Sequence, residues 1–218
     1  RASLKIVHVK GFPECVALLG DVVRSRNSDR SRVHGALLAA IDACNDAQPP
    51  LDPLRVTVGD EVQGVYATLG QAVAVMLRLR DELLGIAEVR CGLGGGDVRI
   101  IDAKRGIQDG PAWWRAREAI ERAEALSRQP GNRTSRTALI DARAVANPLV
   151  DPLLRVIDAK LAALSPGSRR SWVHLRAGLD NATAAKLEGV TPSANSQRVN
   201  DHGLRPLAAL VEALTELP

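Results

Sequence analysis

From Glu14 to Arg99 the apolar residues change their spacing repeatedly, and the order of those changes limits the folds open to this chain. Glu14–Val23 (ECVALLGDVV) is a continuous apolar run that ends in Gly20-Asp21, the pattern of a strand buried on both faces. Val33, Leu37, Leu38, Ile41 and Cys44 then recur at helical spacing, with Ser28 or Asp29 as N-cap and Pro49-Pro50 as the stop. Arg55–Thr68 (RVTVGDEVQGVYAT) carries two β-branched runs around Gly59-Asp60-Glu61, a hairpin pattern. Residues 70–84 read as a helix, and Glu88–Arg99 (EVRCGLGGGDVR) as a strand that opens into glycines.

The succession is β-α-β-β-α-β, which places the chain in the α/β (α+β) class. The expected architecture is ferredoxin-like: an antiparallel sheet with two helices on one face. Its strand order sets the end of the first strand beside the central hairpin. Asp21 is therefore expected to meet Asp60 and Glu61, although 39 positions separate Asp21 from Asp60. Beyond this unit, Pro111–Leu126 predicts a helix with proline at its first position, and Thr137–Ile140 a further strand. Pro148 and Pro152 mark a boundary between a domain over 1–147 and an all-α unit over 148–218. Helices are expected there at 153–164, 168–178, 181–187, 192–200 and 204–216.

With 218 residues and 45% hydrophobic content the chain has enough apolar material for a sizeable core. Its net charge of +4 is thinly spread: eight of the 29 basic and seven of the 25 acidic residues lie beyond residue 150. That excludes a protein held to nucleic acid by charge alone. No apolar stretch reaches the length of a membrane span, so no membrane partner is expected. Cys15, Cys44 and Cys91 lack metal-ligand spacing and lie in apolar contexts, as buried reduced thiols in a cytoplasmic protein do. The one methionine is Met76, so the initiating residue is missing, processed or replaced.

Five segments carry candidate chemistry. A carboxylate at a strand end beside a helix start suits Mg²⁺ or Mn²⁺ with its phosphate ligand, and Asp21 with Arg24, Ser25 and Arg26 has that form; the alternative is an aspartate that caps the loop. Asp60 and Glu61, beside Asp21, would repel it unless a cation or shared proton intervened, which makes the three carboxylates a candidate metal site with Gln63 as a ligand hydrogen bonder. Gly94 and Gly95 either let a backbone approach a nucleotide or mark a bulged strand end. Trp114 and Arg115, at a helix start, offer a stacking face and a phosphate cation; packing of the tryptophans is the alternative. Finally, Asn181–Val199 reads as a helix-turn-helix, with Thr191, Ser193, Asn195, Ser196, Gln197 and Arg198 as DNA contacts. Glu188 and Asn195 stand there at positions usually apolar.

The segments ALLGDVVRSR (17–26), VTVGDEVQGVY (56–66), VRCGLGGGDV (89–98) and DGPAWWRAREAI (109–120), with the terminal helix-turn-helix, resemble the SatD family of bacterial proteins. The first domain is in turn similar to class III nucleotidyl cyclase and GGDEF folds. That resemblance implies Asp21 and Asp60, with Glu61, as metal ligands and the 22–26 loop as a triphosphate cradle. In those cyclases the helix equivalent to 111–122 supplies an Asn and an Arg, whereas Trp113, Trp114 and Arg115 stand here and Arg117 is the one candidate catalytic arginine, out of register. Metal and nucleotide binding is thus implied more strongly than cyclisation. The expectation is a cytoplasmic, homodimeric regulator that couples a nucleotide-binding domain to double-stranded DNA. The alternatives are a metal-dependent enzyme acting on a nucleoside triphosphate and a protein-interaction module.

Overall fold

A computed structural model describes residues 11–23 and 30–218. Within them the chain is a mixed α/β structure of six strands and eight helices. Strand β1 (Gly11–Val22) lies in the middle of the sheet, antiparallel to β3 (Val62–Tyr66) on one side and β4 (Val89–Asp102) on the other. β2 (Asp52–Val56) pairs with β3 at one edge. At the other edge the long β4 takes two partners, antiparallel β5 (Ile107–Asp109) along its second half and parallel β6 (Thr137–Asp141) along its first. β5 is a three-residue strand that periodicity does not mark.

From Cys15 to Leu19 β1 is apolar and buried because helices cover both of its faces. Val16, Leu18 and Val22 point toward α1 (Arg30–Ala47) and α2 (Leu69–Glu82), where Leu37, Cys44, Val73 and Met76 are buried. The alternate residues Cys15, Ala17 and Leu19 pack on the opposite side against Ala112, Ala116 and Ile120 of α3 (Pro111–Ser127). By that alternation Asp21 falls on the α3 side. The start of α2 is held by a capping box: Thr68 Oγ1 accepts from the Gln71 amide at 3.1 Å while Gln71 Oε1 accepts from the Thr68 amide at 3.3 Å.

The glycines of β4 have a packing role. A Cβ on Gly92 would stand 2.3 Å from the Ala116 carbonyl oxygen, and one on Gly94 2.1 Å from that of Ala112. Ala112, Ala116, Ala119 and Ala123 form the buried stripe of α3, so small residues on both surfaces bring helix and strand into close contact.

Five further helices complete the chain: α4 (Val150–Ala162), α5 (Pro166–Arg176), α6 (Asn181–Leu187), α7 (Pro192–Asp201) and α8 (Leu204–Thr215). They do not stand apart from the sheet. Trp172, Leu204, Leu207, Val211 and Leu214 join one continuous core with residues of β1, α1 and α2. α8 ends against the start of α2, where a Cβ on Gly70 would meet the Thr215 carbonyl oxygen at 2.1 Å. A buried carboxylate anchors α4: Asp158 accepts from Arg80 at 2.6 Å, from Thr137 Oγ1 at 3.2 Å, and from the Arg136 and Thr137 amides at 2.7 Å. Among the described residues no helix is long and apolar enough to cross a membrane.

Candidate functional site

β1 and the β2–β3 hairpin bring acidic groups together at one end of the sheet. Asp21 Oδ2 accepts from Arg90 Nη1 at 3.1 Å, and the same nitrogen stands 3.4 Å from Glu124 on α3. Asp21 Oδ1 is buried with no hydrogen-bond partner. Partial burial raises the Asp21 pKa; Arg90 opposes that, and Glu124, Asp60 and Glu61 add to it. Asp21 and the hairpin carboxylates therefore lie within each other's field.

The three carboxylates do not, however, close into one donor group. Glu61 is held by Arg117 of α3 through two bonds of 2.9 Å, and the described residues contain no cluster of three His, Cys, Asp or Glu side chains set to hold a metal ion. The sequence called for a cation or a shared proton between these carboxylates. Arg90 and Arg117 supply part of the neutralising charge, and Glu61, expected as a metal ligand, stands here as the ion-pair partner of Arg117.

Asp60 remains outside these pairs. With Gly59 it lines a cavity of about 440 Å³ shared with Arg30, Ser31, His34 and Leu37 at the start of α1. The expected phosphate residues Arg24, Ser25 and Arg26, and the expected N-caps Ser28 and Asp29, lie outside the described residues. Arg30, Ser31 and His34 went unnoticed in the sequence because a helix start gives no sign of what it faces.

A second opening of about 520 Å³, on the α3 side, brings Gln63 together with Leu19, Gln108, Trp113, Trp114 and Arg117. Trp114 is exposed and donates its indole N–H to Asp109 at 2.8 Å; Trp113 donates to Gln108 at 3.2 Å. Arg115 turns away and donates to the Gly95 carbonyl at 2.8 Å, a correction to its expected phosphate role. Gly94 and Gly95 are corrected as well. α3 fills the space over Gly94, and a Cβ on Gly95 would meet Asp141 Oδ1 at 1.8 Å, so neither lies open to a ligand.

In the tail, α6 and α7 are joined through Gly189 in a left-handed conformation (φ 64°), and Thr191 caps α7 by accepting from the Ala194 amide at 3.1 Å. Asn195 is buried: it accepts from Ser171 Oγ at 2.7 Å and donates to Asn181 at 2.9 Å. It cannot reach a DNA base. Arg198 lies over Gly167, 3.6 Å from Glu188, whose nearly buried carboxylate also takes Arg170 at 2.6 Å and His174 at 3.1 Å. Both polar residues that looked misplaced in the sequence thus have internal partners. Thr191, Ser193 and Gln197 are exposed and Ser196 is half-buried.

A family model described as the SatD family matches residues 15–147. No curated protein matches the chain. Among solved structures it is similar to the catalytic core of a rhodopsin-guanylyl cyclase with converted specificity, in complex with ATPαS. The identity is 19%, covering 50% of this chain and 72% of that one, at a TM-score of 0.42. It is also similar to the monomeric guanylyl cyclase domain of the RhoGC fusion protein from the aquatic fungus Blastocladiella emersonii. There the identity is 17%, with 50% and 75% covered and a TM-score of 0.39. A bacterial light-regulated adenylyl cyclase shares 17% identity over 57% of this chain and 43% of its own, at a TM-score of 0.43.

Proposed function

The chain belongs to the SatD family, and we propose that its first domain, residues 1–147, binds the phosphates of a nucleotide through a Mg²⁺ or Mn²⁺ ion held by Asp21 and Asp60. One observation carries this reading: the buried Asp21 Oδ1 without a partner, in the field of three further carboxylates, Glu124, Asp60 and Glu61. An unsatisfied buried acceptor costs about 1–3 kcal/mol, and neighbouring like charges add to that cost. A cation relieves both.

The donor set fits. Mg²⁺ is usually taken by one or two carboxylates, with phosphate oxygens and water completing its shell. Bound there, it would neutralise phosphate charge and orient the phosphate chain. Arg30, Ser31 and His34 border the cavity that Asp60 lines, and the amino end of α1 favours an anion. The exposed ring of Trp114 beside Gln63 and Arg117 offers a stacking face for a base. Exposed Ile101 and Ile107 on the β4–β5 edge support a homodimer, and three buried free thiols suit a cytoplasmic protein. The family match ends at residue 147, which supports reading the ferredoxin-like domain and the helical tail as separate units of sequence.

Calorimetry with nucleoside triphosphates, with and without Mg²⁺, tests this reading. We expect metal-dependent binding that Asp21→Asn and Asp60→Asn abolish, without product on incubation with Mn²⁺. Turnover lost in the same variants would move the reading to an enzyme; metal-independent or absent binding would overturn it. A second reading, DNA contact by the tail, rests on the exposure of Thr191, which caps α7, and of Ser193 and Gln197 within it. A mobility-shift assay that stays flat disposes of it.

A further inference from the structure

We propose that a cavity of about 580 Å³, formed by the end of α2, the start of β4 and helices α4 and α5, binds a small amphipathic anion: a carboxylate or phosphate on an apolar body, received by Arg80 and Arg169. This site shares no residue with the acidic corner and is independent of the nucleotide reading.

Leu84, Ile86, Leu161 and Leu164 give the cavity an apolar wall, and its volume lies in the range of small-molecule sites, roughly 300–1,000 Å³. Its polar side is cationic because the carboxylates that line it are already engaged. Asp158 accepts at both oxygens from Arg80, Thr137 and the Arg136 and Thr137 amides. Glu88 is paired with Arg136 at 2.7 Å.

The arginines keep unused donors. Both side-chain bonds of Arg80 leave from Nη1, to Asp158 and Thr137. Arg169 reaches Asp81 through Nη2 alone, at 3.3 Å, while Asp81 gives its other oxygen to Arg176 at 2.5 Å. Three guanidinium groups thus share the carboxylates of Asp81 and Asp158, leaving one positive charge over. The side chains of Arg80 and Arg169 are 10% and 9% exposed. Burial lowers the Arg169 pKa; Asp81 opposes the shift, while Arg80 and Arg176 reinforce it. One buried positive charge in excess beside an apolar cavity is costly until an anion enters, and a guanidinium fork suits carboxylate and phosphate alike. Arg80 belongs to α2 and Arg169 to α5, so the ligand would tie the sheet to the tail.

Calorimetry and thermal melting of the full chain with octanoate, octyl phosphate, octanol and inorganic phosphate decide the matter. We expect one equivalent of octanoate or octyl phosphate to bind and raise the melting temperature, the stronger of the two identifying the head group. Arg169→Gln should weaken that binding at least tenfold. Ala162→Trp, at an exposed position that lines the cavity and enters no ion pair, should do the same by filling it, and it decides alone if Arg169→Gln fails to fold. Absence of binding, equal binding of octanol or of inorganic phosphate, or undiminished affinity in Ala162→Trp would overturn the proposal.

Discussion

Arg90 on β4 faces Asp21 on β1 across the antiparallel register, yet its Nη1 reaches only one of the two carboxylate oxygens, at 3.1 Å. Because burial raises the Asp21 pKa above the ordinary 3.8, its ionised form is disfavoured by folding. The protonated form contributes stability that is fully present below the unfolded pKa and is lost as pH rises through the folded one. Asp21→Asn should therefore melt no lower than the parent at neutral pH, with the difference shrinking toward acid. Melting curves over roughly pH 3 to 7 read this directly.

Gly94→Ala tests the contact between α3 and β4. The new methyl would press on backbone atoms of Ala112 and Ala116, at 2.1 and 2.3 Å, which cannot swing aside as a side chain can. A loss of about 1–3 kcal/mol or more is expected. It should lower the melting temperature by roughly 2–4 °C per kcal/mol in a chain of this size.

Asp158→Asn should be among the most damaging single substitutions. It leaves Arg80, with a side chain 10% exposed, without its carboxylate, and removes an acceptor shared by two backbone amides. Breaking a buried pair of this kind costs about 3–5 kcal/mol. Denaturant titration should show a lower midpoint with the slope unchanged.

The three thiols should resist alkylation in the folded protein. Burial pushes Cys15 up to about 11 and Cys44 and Cys91 up to about 12, so the reactive thiolate is scarce at neutral pH. Iodoacetamide followed by intact mass measurement should find all three unmodified until denaturant is added, when all three react.

Apolar spacing revealed most elements because it records burial on a single strand or helix. α6 falls on Asn181–Leu187, as expected from the sequence, and α7 on Pro192–Asp201, one residue longer than expected. What spacing does not record is the partner across a gap. The glycines of β4 read equally well as a ligand cradle or a packing surface until α3 is seen lying on them. The approach of Asp21 to the hairpin followed from strand order, but Arg90 and Arg117 did not, since an arginine reaches several ångströms in any direction. Asn195 and Glu188 looked like departures from a pattern because their partners Ser171 and Arg170 belong to a different helix.

The core that runs without interruption from β1 through α2 to α8 also governs how the molecule comes apart. Apolar surface shared between two lobes is lost from both when either one opens. Sheet and tail should therefore denature together in a single calorimetric peak, and any signal passed from one to the other must travel as a rigid displacement rather than as the swing of a tethered arm.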